Sequence, residues 1–361
     1  MKIETTCVQG AKDKNNSTGA IAVPIYQSAT FAHPGVGEST GYDYSRVQNP
    51  TREALEQVVA NLENATDAIA FSTGMAALTA LMELFEPNSH IIATDDLYGG
   101  SIRLFDILSK KTGLTIDYID TGDIDTVKSK ITSNTKAIFI ETPTNPMMKL
   151  TDLAAIAKLT QNTDILLIVD NTFLTPYLQQ PLTLGADIVL HSGTKYLGGH
   201  NDTLAGFLAT SNTEIAEKLR FISKNFGACL SPFDSFLIIR GIKTLALRMD
   251  KAQANAKTLA DWLKKQPKVS QVYYPNIGAM ISFKVDNELT ASQILENVQI
   301  IAFAESLGGV ETLITYPMLQ THADVPLEDR LARGIDEKLL RISVGIENVE
   351  DLIEDLAEAM R

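Results

Sequence analysis

Cysteine is scarce: Cys7 and Cys229 are the two cysteines in 361 residues. Two thiols cannot build a disulfide framework, so the fold must rest on its core, and a reducing, cytoplasmic setting is expected. The five histidines (His33, His90, His191, His200 and His322) show no H-x-x-x-H or comparable ligand spacing, which argues against a zinc site. No apolar run is long enough to span a bilayer, and the opening MKIETTCVQG lacks the apolar core of a secretory signal. Positive charge is short too, with 31 Lys and Arg against 44 Asp and Glu, a formal charge of −13. Such a surface repels nucleic acid and anionic membranes, so neither is an expected partner. An anionic ligand would need local positive contacts.

What is present is ordinary core-forming material: 45% hydrophobic and 21% charged residues, over a length that suits two or three domains. Residues 1–48 are rich in Gly, Ser, Thr and Asn without a sustained period. An ordered segment of that kind needs a surface to lie on, and we read it as an arm packed on a neighbouring subunit. From about residue 66, short apolar runs alternate with amphipathic stretches. The runs are Ala68–Phe71, His90–Ala93, Leu114–Ile119, Ala137–Ile140, Ile165–Val169 and Ile188–Leu190, with helical candidates such as Ser101–Lys111 and Leu153–Gln161 between them. Apolar strands separated by helices predict a mostly parallel sheet covered on both faces, an α/β domain over residues 49–240. Phe236–Lys265 repeats apolar residues at helical spacing. Val269–Tyr274, Met280–Val285 and Leu339–Val344 then read as strands and Val349–Met360 as a closing helix, giving a smaller α+β domain over 241–361.

Chemistry concentrates where charged residues end apolar strands. Asp170 closes the run before Asn-Thr-Phe. In an open α/β sheet, ligands bind beyond the carboxyl ends of the strands, and a buried carboxylate there must be paired. Lys195, in HSGTKYLGGH, follows the next apolar run. A lysine in that position is costly unless it is deprotonated or covalently used, as a Schiff-base lysine is. A carboxylate for a pyridine nitrogen and an amine for an aldehyde are the two protein handles that pyridoxal 5′-phosphate (PLP) requires. A structural ion pair is the bland alternative. FSTGMAAL (Phe71–Leu78) runs a strand into Ser-Thr-Gly and a helix start, where free N–H groups can hold phosphate and Gly74 lets an anion approach. It could equally be a plain Ser/Thr cap. Ser192 and Thr194 could add hydroxyls to the same phosphate. Tyr98, in DLYGG, could stack on a planar cofactor or simply fill the core.

Together these motifs resemble the Cys/Met-metabolism (transsulfuration) PLP enzymes. The resemblance spans essentially the whole chain: YSRVQNPTR (44–52), STGMAA, LYGG, ETPTNP (141–146), VDNTF, HSGTKYLGGH, ESLGGVETL (305–313) and LLRISVGIE (339–347). It implies fold type I of the PLP-dependent transferases, the aspartate-aminotransferase-like fold. It implies that Lys195 anchors the cofactor covalently, that Asp170 pairs with the pyridine nitrogen, and that Tyr98 stacks on the ring and assists proton transfer. Gly74, Met75, Ser192 and Thr194 would hold the phosphate, with Tyr44 and Arg46 reaching it from the neighbouring subunit. Arg341 would grip the substrate α-carboxylate, with Asn145, Ser306 and the backbone at Leu307 fixing substrate and ring. The implied assembly is a homo-oligomer of site-sharing dimers, expected to pair as a tetramer, acting on small amino-acid substrates. Two departures stand out. Thr73 takes the place of a serine common in relatives, and the connection between Tyr274 and Met280 is short.

Several features point to chemistry at the substrate γ carbon. Gly100 stands where methionine γ-lyases have cysteine. Glu305 precedes Ser-Leu-Gly-Gly, an acidic position that could receive the distal ammonium of cysteine or cystathionine or could be a solvated rim carboxylate. Arg103 and Asp43 are charged candidates at the same mouth. The stretch GGVETLITYPMLQTHADVP, with GGHND, resembles the bacterial cystathionine γ-synthase/O-acetylhomoserine sulfhydrylase branch. The expected reaction is therefore γ-replacement on an O-acylated homoserine by cysteine, and by sulfide, with cystathionine γ-lyase and then β-lyase as alternatives. GVGEST (35–40) is no dinucleotide fingerprint: Thr40 stands at the third glycine position, and no strand-to-helix context surrounds it. A non-catalytic PLP-binding protein is disfavoured by intact Lys195, Asp170, Tyr98 and Arg341.

Overall fold

The computed structural model describes residues 1–14, 17–323 and 325–361. Residues 15 and 16 of the arm, and residue 324 of the stretch that suggested the reaction branch, lie outside the described residues.

Seven strands form the large sheet: β1 (Asp67–Phe71), β2 (His90–Thr94), β3 (Thr115–Ile119), β4 (Thr135–Glu141), β5 (Leu166–Asp170), β6 (Ile188–Ser192) and β7 (Gly206–Thr210). Their order is β1-β7-β6-β5-β4-β2-β3. Pairing is parallel from β6 through β3, and β7 runs antiparallel to both its neighbours. The central strands are buried along nearly their whole length, which is why they read as continuous apolar runs. Each run identified in the sequence is one of these strands.

The strand β7 has no counterpart in the sequence reading. It opens on glycine and is only five residues long. The glycine is a packing requirement, because a Cβ at Gly206 would overlap the carbonyl oxygen of Thr73 at the start of the helix Gly74–Met82. That close approach locks the helix start onto the middle of the sheet.

The second sheet, ordered β10-β11-β12-β9-β8, comprises β8 (Val269–Tyr273), β9 (Met280–Val285), β10 (Ala302–Phe303), β11 (Leu313–Thr315) and β12 (Leu339–Ser343). The two shortest, β10 and β11, are too brief to leave a period in the sequence. Helices Glu288–Asn297 and Val349–Ala359 pack on one another beside it.

The helical stretch from Phe236 breaks in two, Pro232–Ile242 and Leu245–Leu263. The Arg248 guanidinium supplies a reason. Its Nη2 donates to the Gly241 carbonyl at 2.8 Å and its Nη1 to the Tyr196 carbonyl at 2.7 Å. The end of the first helix is thereby capped by a side chain of the second, and both are tied to the segment carrying Lys195. The arm is not wholly irregular either. Ile3–Gln9 is helical, with Cys7 buried in the core shared by helices Pro50–Glu63 and Leu245–Leu263. Among the described residues, no helix is long and apolar enough to cross a membrane.

Candidate active site

The carboxyl ends of β1, β2, β4, β5 and β6 converge on a cavity of about 360 Å³, closed on its far side by the second sheet and its loops. This is where an α/β sheet binds ligands. A larger groove of about 930 Å³ lies at the opposite, amino ends of the strands, around Ser89, Lys136, Leu166 and Asp187, away from these groups.

Asp170 ends β5 and borders the cavity. Its Oδ1 accepts from the Thr172 amide at 3.0 Å and the Thr172 hydroxyl at 2.6 Å. The same hydroxyl accepts from the Ser192 amide at 2.8 Å, which fixes the ends of β5 and β6 to each other. Burial raises the proton affinity of Asp170 above the usual carboxylate range, and the two bonds from Thr172 oppose that rise. Among the described residues no Lys, Arg or His forms a salt bridge with it. A buried anion lacking a cation is suited to receive one from a ligand, and the protonated ring nitrogen of PLP would be such a cation.

Lys195 follows β6 by three residues and donates from Nζ to Ser306 Oγ at 2.8 Å. Burial, helped by the nearby Arg341 guanidinium and opposed by Glu305, pulls the amine down from 10.5 to about 8. Neutral amine is thus available near neutral pH, as an aldehyde-binding lysine requires.

On the opposite wall, Thr73 caps the nine-residue helix Gly74–Met82 through the Ala76 amide at 2.9 Å. The plain cap is therefore present, and it leaves room for the other reading, a phosphate seat. The cap consumes one orphan amide, and those of Gly74 and Met75 remain at the helix start facing the cavity. Ser192 lies against them, because a Cβ on Gly74 would fall 3.2 Å from Ser192 Oγ. The Thr194 hydroxyl accepts from the Ala205 amide at 3.1 Å and also borders the cavity. Two amides without partners among the described residues, with adjoining hydroxyls, could seat a phosphate.

Tyr98 opens the helix Gly99–Thr112, with its amide donating to Glu141 Oε2 at 2.9 Å. Its ring occupies the space a Cβ at Gly100 would need, so glycine there is set by the ring's position. Arg341, in the middle of β12, is 1% exposed. It donates from Nη1 to Asn145 Oδ1 at 2.8 Å and from Nη2 to the Ser306 carbonyl at 3.0 Å and the Thr315 hydroxyl at 3.3 Å, while Nε has no hydrogen-bond partner among the described residues. No carboxylate pairs with it among the described residues, and burial lowers it to about 10. A fork held by neutral acceptors and aimed into a cavity can take an incoming carboxylate. Ser306, at φ 95°, touches both Lys195 and Arg341.

Thus Gly74, Met75, Tyr98, Asn145, Asp170, Ser192, Thr194, Lys195, Glu305, Ser306, Leu307 and Arg341 all border one cavity. Four candidates do not border it within a single chain. Tyr44 and Arg46 stack on each other, with the guanidinium carbon 5.6 Å from the ring centroid, and Arg46 Nη1 donates to the Lys224 carbonyl. Asp43 accepts from the Ser39 hydroxyl at 2.6 Å. Arg103 is exposed on the helix Gly99–Thr112, near the cavity mouth at Thr321. Sequence reasoning assigned no role to Glu141, Thr172 or Thr321. Glu141 carried the same signal as Asp170, an acid closing an apolar strand; Thr321 carried none.

A family model described as Cys/Met metabolism PLP-dependent enzyme matches residues 4–361. The chain belongs to that family. It is 51% identical over 358 residues to the cystathionine gamma-synthase/O-acetylhomoserine (thiol)-lyase of Bacillus subtilis, covering 99% of this chain and 96% of the relative. It is 47% identical over 376 residues to a cystathionine gamma-lyase of the same organism, covering 100% and 99%. A crystal structure of cystathionine gamma synthase from Xanthomonas oryzae pv. oryzae in complex with cystathionine superposes with a TM-score of 0.97 at 37% identity, covering 100% of this chain and 98% of that one. The family depends on PLP, the fold is fold type I, and this chain is a transsulfuration PLP enzyme. The free amine, the unpaired acid and the anion seat around one cavity suit that cofactor.

Proposed function

We propose that the enzyme catalyses γ-replacement on an O-acyl-L-homoserine, with L-cysteine as nucleophile and sulfide as a second acceptor. The observation that carries this reading is the placement of Glu305. It is an acidic group at the rim of a cavity whose floor already holds a carboxylate-seeking Arg341. One amino acid can be seated by Arg341 and a second zwitterion met by Glu305. The relative at 51% identity, named for both cystathionine synthesis and thiol chemistry on O-acetylhomoserine, supports the same choice.

Bound PLP supplies an electron sink for negative charge developing on the substrate. The chain supplies the rest. Gly74, Met75, Ser192 and Thr194 hold the phosphate. Asp170 would pair with a protonated ring nitrogen, and Tyr98 would flank the ring. Arg341, aligned by Asn145 and the Ser306 carbonyl, binds the α-carboxylate and sets the Cα–H bond toward Lys195. Lys195 Nζ, whose basicity is lowered to about 8 so that a neutral fraction is present near physiological pH, would take that proton; once it has released it again, the same amine could take one from Cβ, which γ departure requires. Tyr44 and Arg46 complete the phosphate site of the neighbouring subunit, so the working unit is a dimer with shared sites, paired as a tetramer.

Cleavage of cystathionine is the second reading, favoured by relatives at 47% and 46% identity named gamma-lyase and beta-lyase. The deciding experiment incubates the enzyme with O-acetyl- or O-succinylhomoserine, with and without cysteine, and identifies products by mass. Cystathionine formed from acylhomoserine and cysteine supports the synthase reading. Ready cleavage of cystathionine with none formed rejects it.

A further inference from the structure

Glu141 is the last residue of β4 and the cross-strand register partner of Asp170, the last residue of β5. Register partners on parallel strands project to the same face, and both acids border the cavity. Glu141 is 5% exposed, and among the described residues no Lys, Arg or His forms a salt bridge with either acid. The groups facing Glu141 from the surrounding elements are Asp170 on β5, Asp96 and Tyr98 on the segment after β2, and Arg341 on β12. Two of those four are further acids, and the sole cation is already held by Asn145, Ser306 and Thr315.

Two adjacent buried carboxylates that no cation pairs directly disfavour each other's ionisation, so one is expected to keep its proton at neutral pH. The hydrogen bonds decide which keeps the charge. Asp170 accepts both an N–H and an O–H from Thr172 and is further favoured as an anion by the nearby His191. Glu141 receives one backbone N–H, that of Tyr98. We propose that Glu141 stands as a neutral carboxylic acid beside an ionised Asp170, and that it serves as a positioning residue for Tyr98. Burial first, and then Asp170, push the proton affinity of Glu141 well above the carboxylate range, in the same direction.

A neutral acid suits this place for two reasons. It leaves Asp170 as the single negative charge available to a protonated ring nitrogen, and it adds no repulsion against a substrate carboxylate approaching Arg341. It also retains a carbonyl oxygen to accept the Tyr98 amide, which fixes the start of the helix Gly99–Thr112 and, with it, the aromatic wall. This arrangement does not depend on whether the enzyme makes or cleaves cystathionine.

Infrared spectroscopy of cofactor-loaded enzyme carrying 13C-carboxyl glutamate tests the protonation state. At pH 7, wild type should show an isotope-shifted C=O stretch of a protonated carboxyl, and Glu141→Gln should lack it. Absence of that band in wild type, or its persistence in Glu141→Gln, overturns the proposal. Kinetics test the tether. Glu141→Ala, which strands the Tyr98 amide, should lower kcat about tenfold or more, and Glu141→Gln, which keeps a neutral acceptor of the same shape, should recover most of that loss. A glutamine variant as impaired as the alanine variant would mean that the negative charge itself is required, and a harmless alanine would remove the positioning role. Because the infrared measurement needs no particular substrate, it stands whichever reaction branch is correct.

Discussion

Arg341 Nη1 donates to Asn145 Oδ1 at 2.8 Å, and this hydrogen bond joins the two sheets across the cavity. Arg341 belongs to the middle of the second sheet, whereas Asn145 follows β4 of the first. The partner on the other guanidinium nitrogen, the Ser306 carbonyl, belongs to the residue that also receives Lys195 Nζ. The group suited to bind a substrate carboxylate is therefore aligned by the same residues that hold the amine which must act on that substrate.

Replacing Arg341 by lysine should accordingly harm binding more than folding. A lysine keeps the charge but cannot donate to Asn145 and Ser306 while presenting a fork outward. One charge-assisted hydrogen bond is worth about 1.5–3 kcal/mol, so KM for the amino-acid substrate should rise by roughly ten- to a hundredfold. Steady-state kinetics with a thermal melt of the same preparation checks this. An unchanged KM would remove Arg341 from substrate binding.

Lys195 should show its depressed basicity directly. With the amine at about 8, about a quarter of Lys195 is neutral at pH 7.5, against about one molecule in a thousand for an ordinary lysine near 10.5. Capture of PLP by apoenzyme should then accelerate as pH rises through 8 and level off above it, well short of 10.5. Borohydride reduction should fix the label on the peptide carrying Lys195, and label on another lysine would refute the assignment. The stability consequence has a definite sign. Between about 8 and 10.5 the unfolded chain binds a proton that the folded apoenzyme does not, so this residue makes apoenzyme stability rise with pH across that window.

The arm predicts complementation. Arg46 borders no part of its own chain's cavity, and it is proposed to serve a neighbour's. Mixing Lys195→Ala with Arg46→Ala protein under subunit exchange gives hybrids in which both defects fall in one site and the other is intact. Activity well above either parent is expected, up to about half of wild type per hybrid. Proven exchange without recovery would place Arg46 outside the shared site.

How much of this was legible beforehand depends on where the physical cost lay. Asp170 and Lys195 stood out because a charge at the end of an apolar strand must be paid for by chemistry, whereas the helix start at Thr73 was ambiguous alone, since an N-cap uses the same residues, and gained meaning only beside the other motifs. By contrast, β7 was hidden because Gly206 is chosen for its contact with Thr73, a contact between residues far apart in sequence. The division of the long helix at Lys243 was hidden because apolar spacing runs through it, and the break is associated with Arg248 reaching the Gly241 and Tyr196 carbonyls. Thr321 came to the cavity only through the packing of the second sheet's loops, about which local sequence is silent.

The branch of the reaction can be separated from the shared chemistry at Glu305. Cysteine brings an ammonium that needs a partner at the cavity rim, and sulfide brings none. Glu305 is exposed, so screening limits its pair with that ammonium to about 1 kcal/mol, roughly fivefold in binding. Glu305→Ala should therefore lower kcat/KM for cysteine by about that factor while leaving sulfide replacement nearly unaffected. Exchange of the substrate α-proton with solvent, followed on acylhomoserine alone, should persist, because Lys195 and Arg341 keep their other partners. Arg103, exposed near the same mouth, is the candidate for the cysteine carboxylate, and Arg103→Ala should show the same selectivity for cysteine over sulfide. Both rates, measured on wild type and each variant at two salt concentrations, give the test. Selection by charge predicts that the cysteine preference weakens as salt rises. Equal losses for the two nucleophiles would assign Glu305 to the common steps and leave nucleophile choice to another part of the cavity.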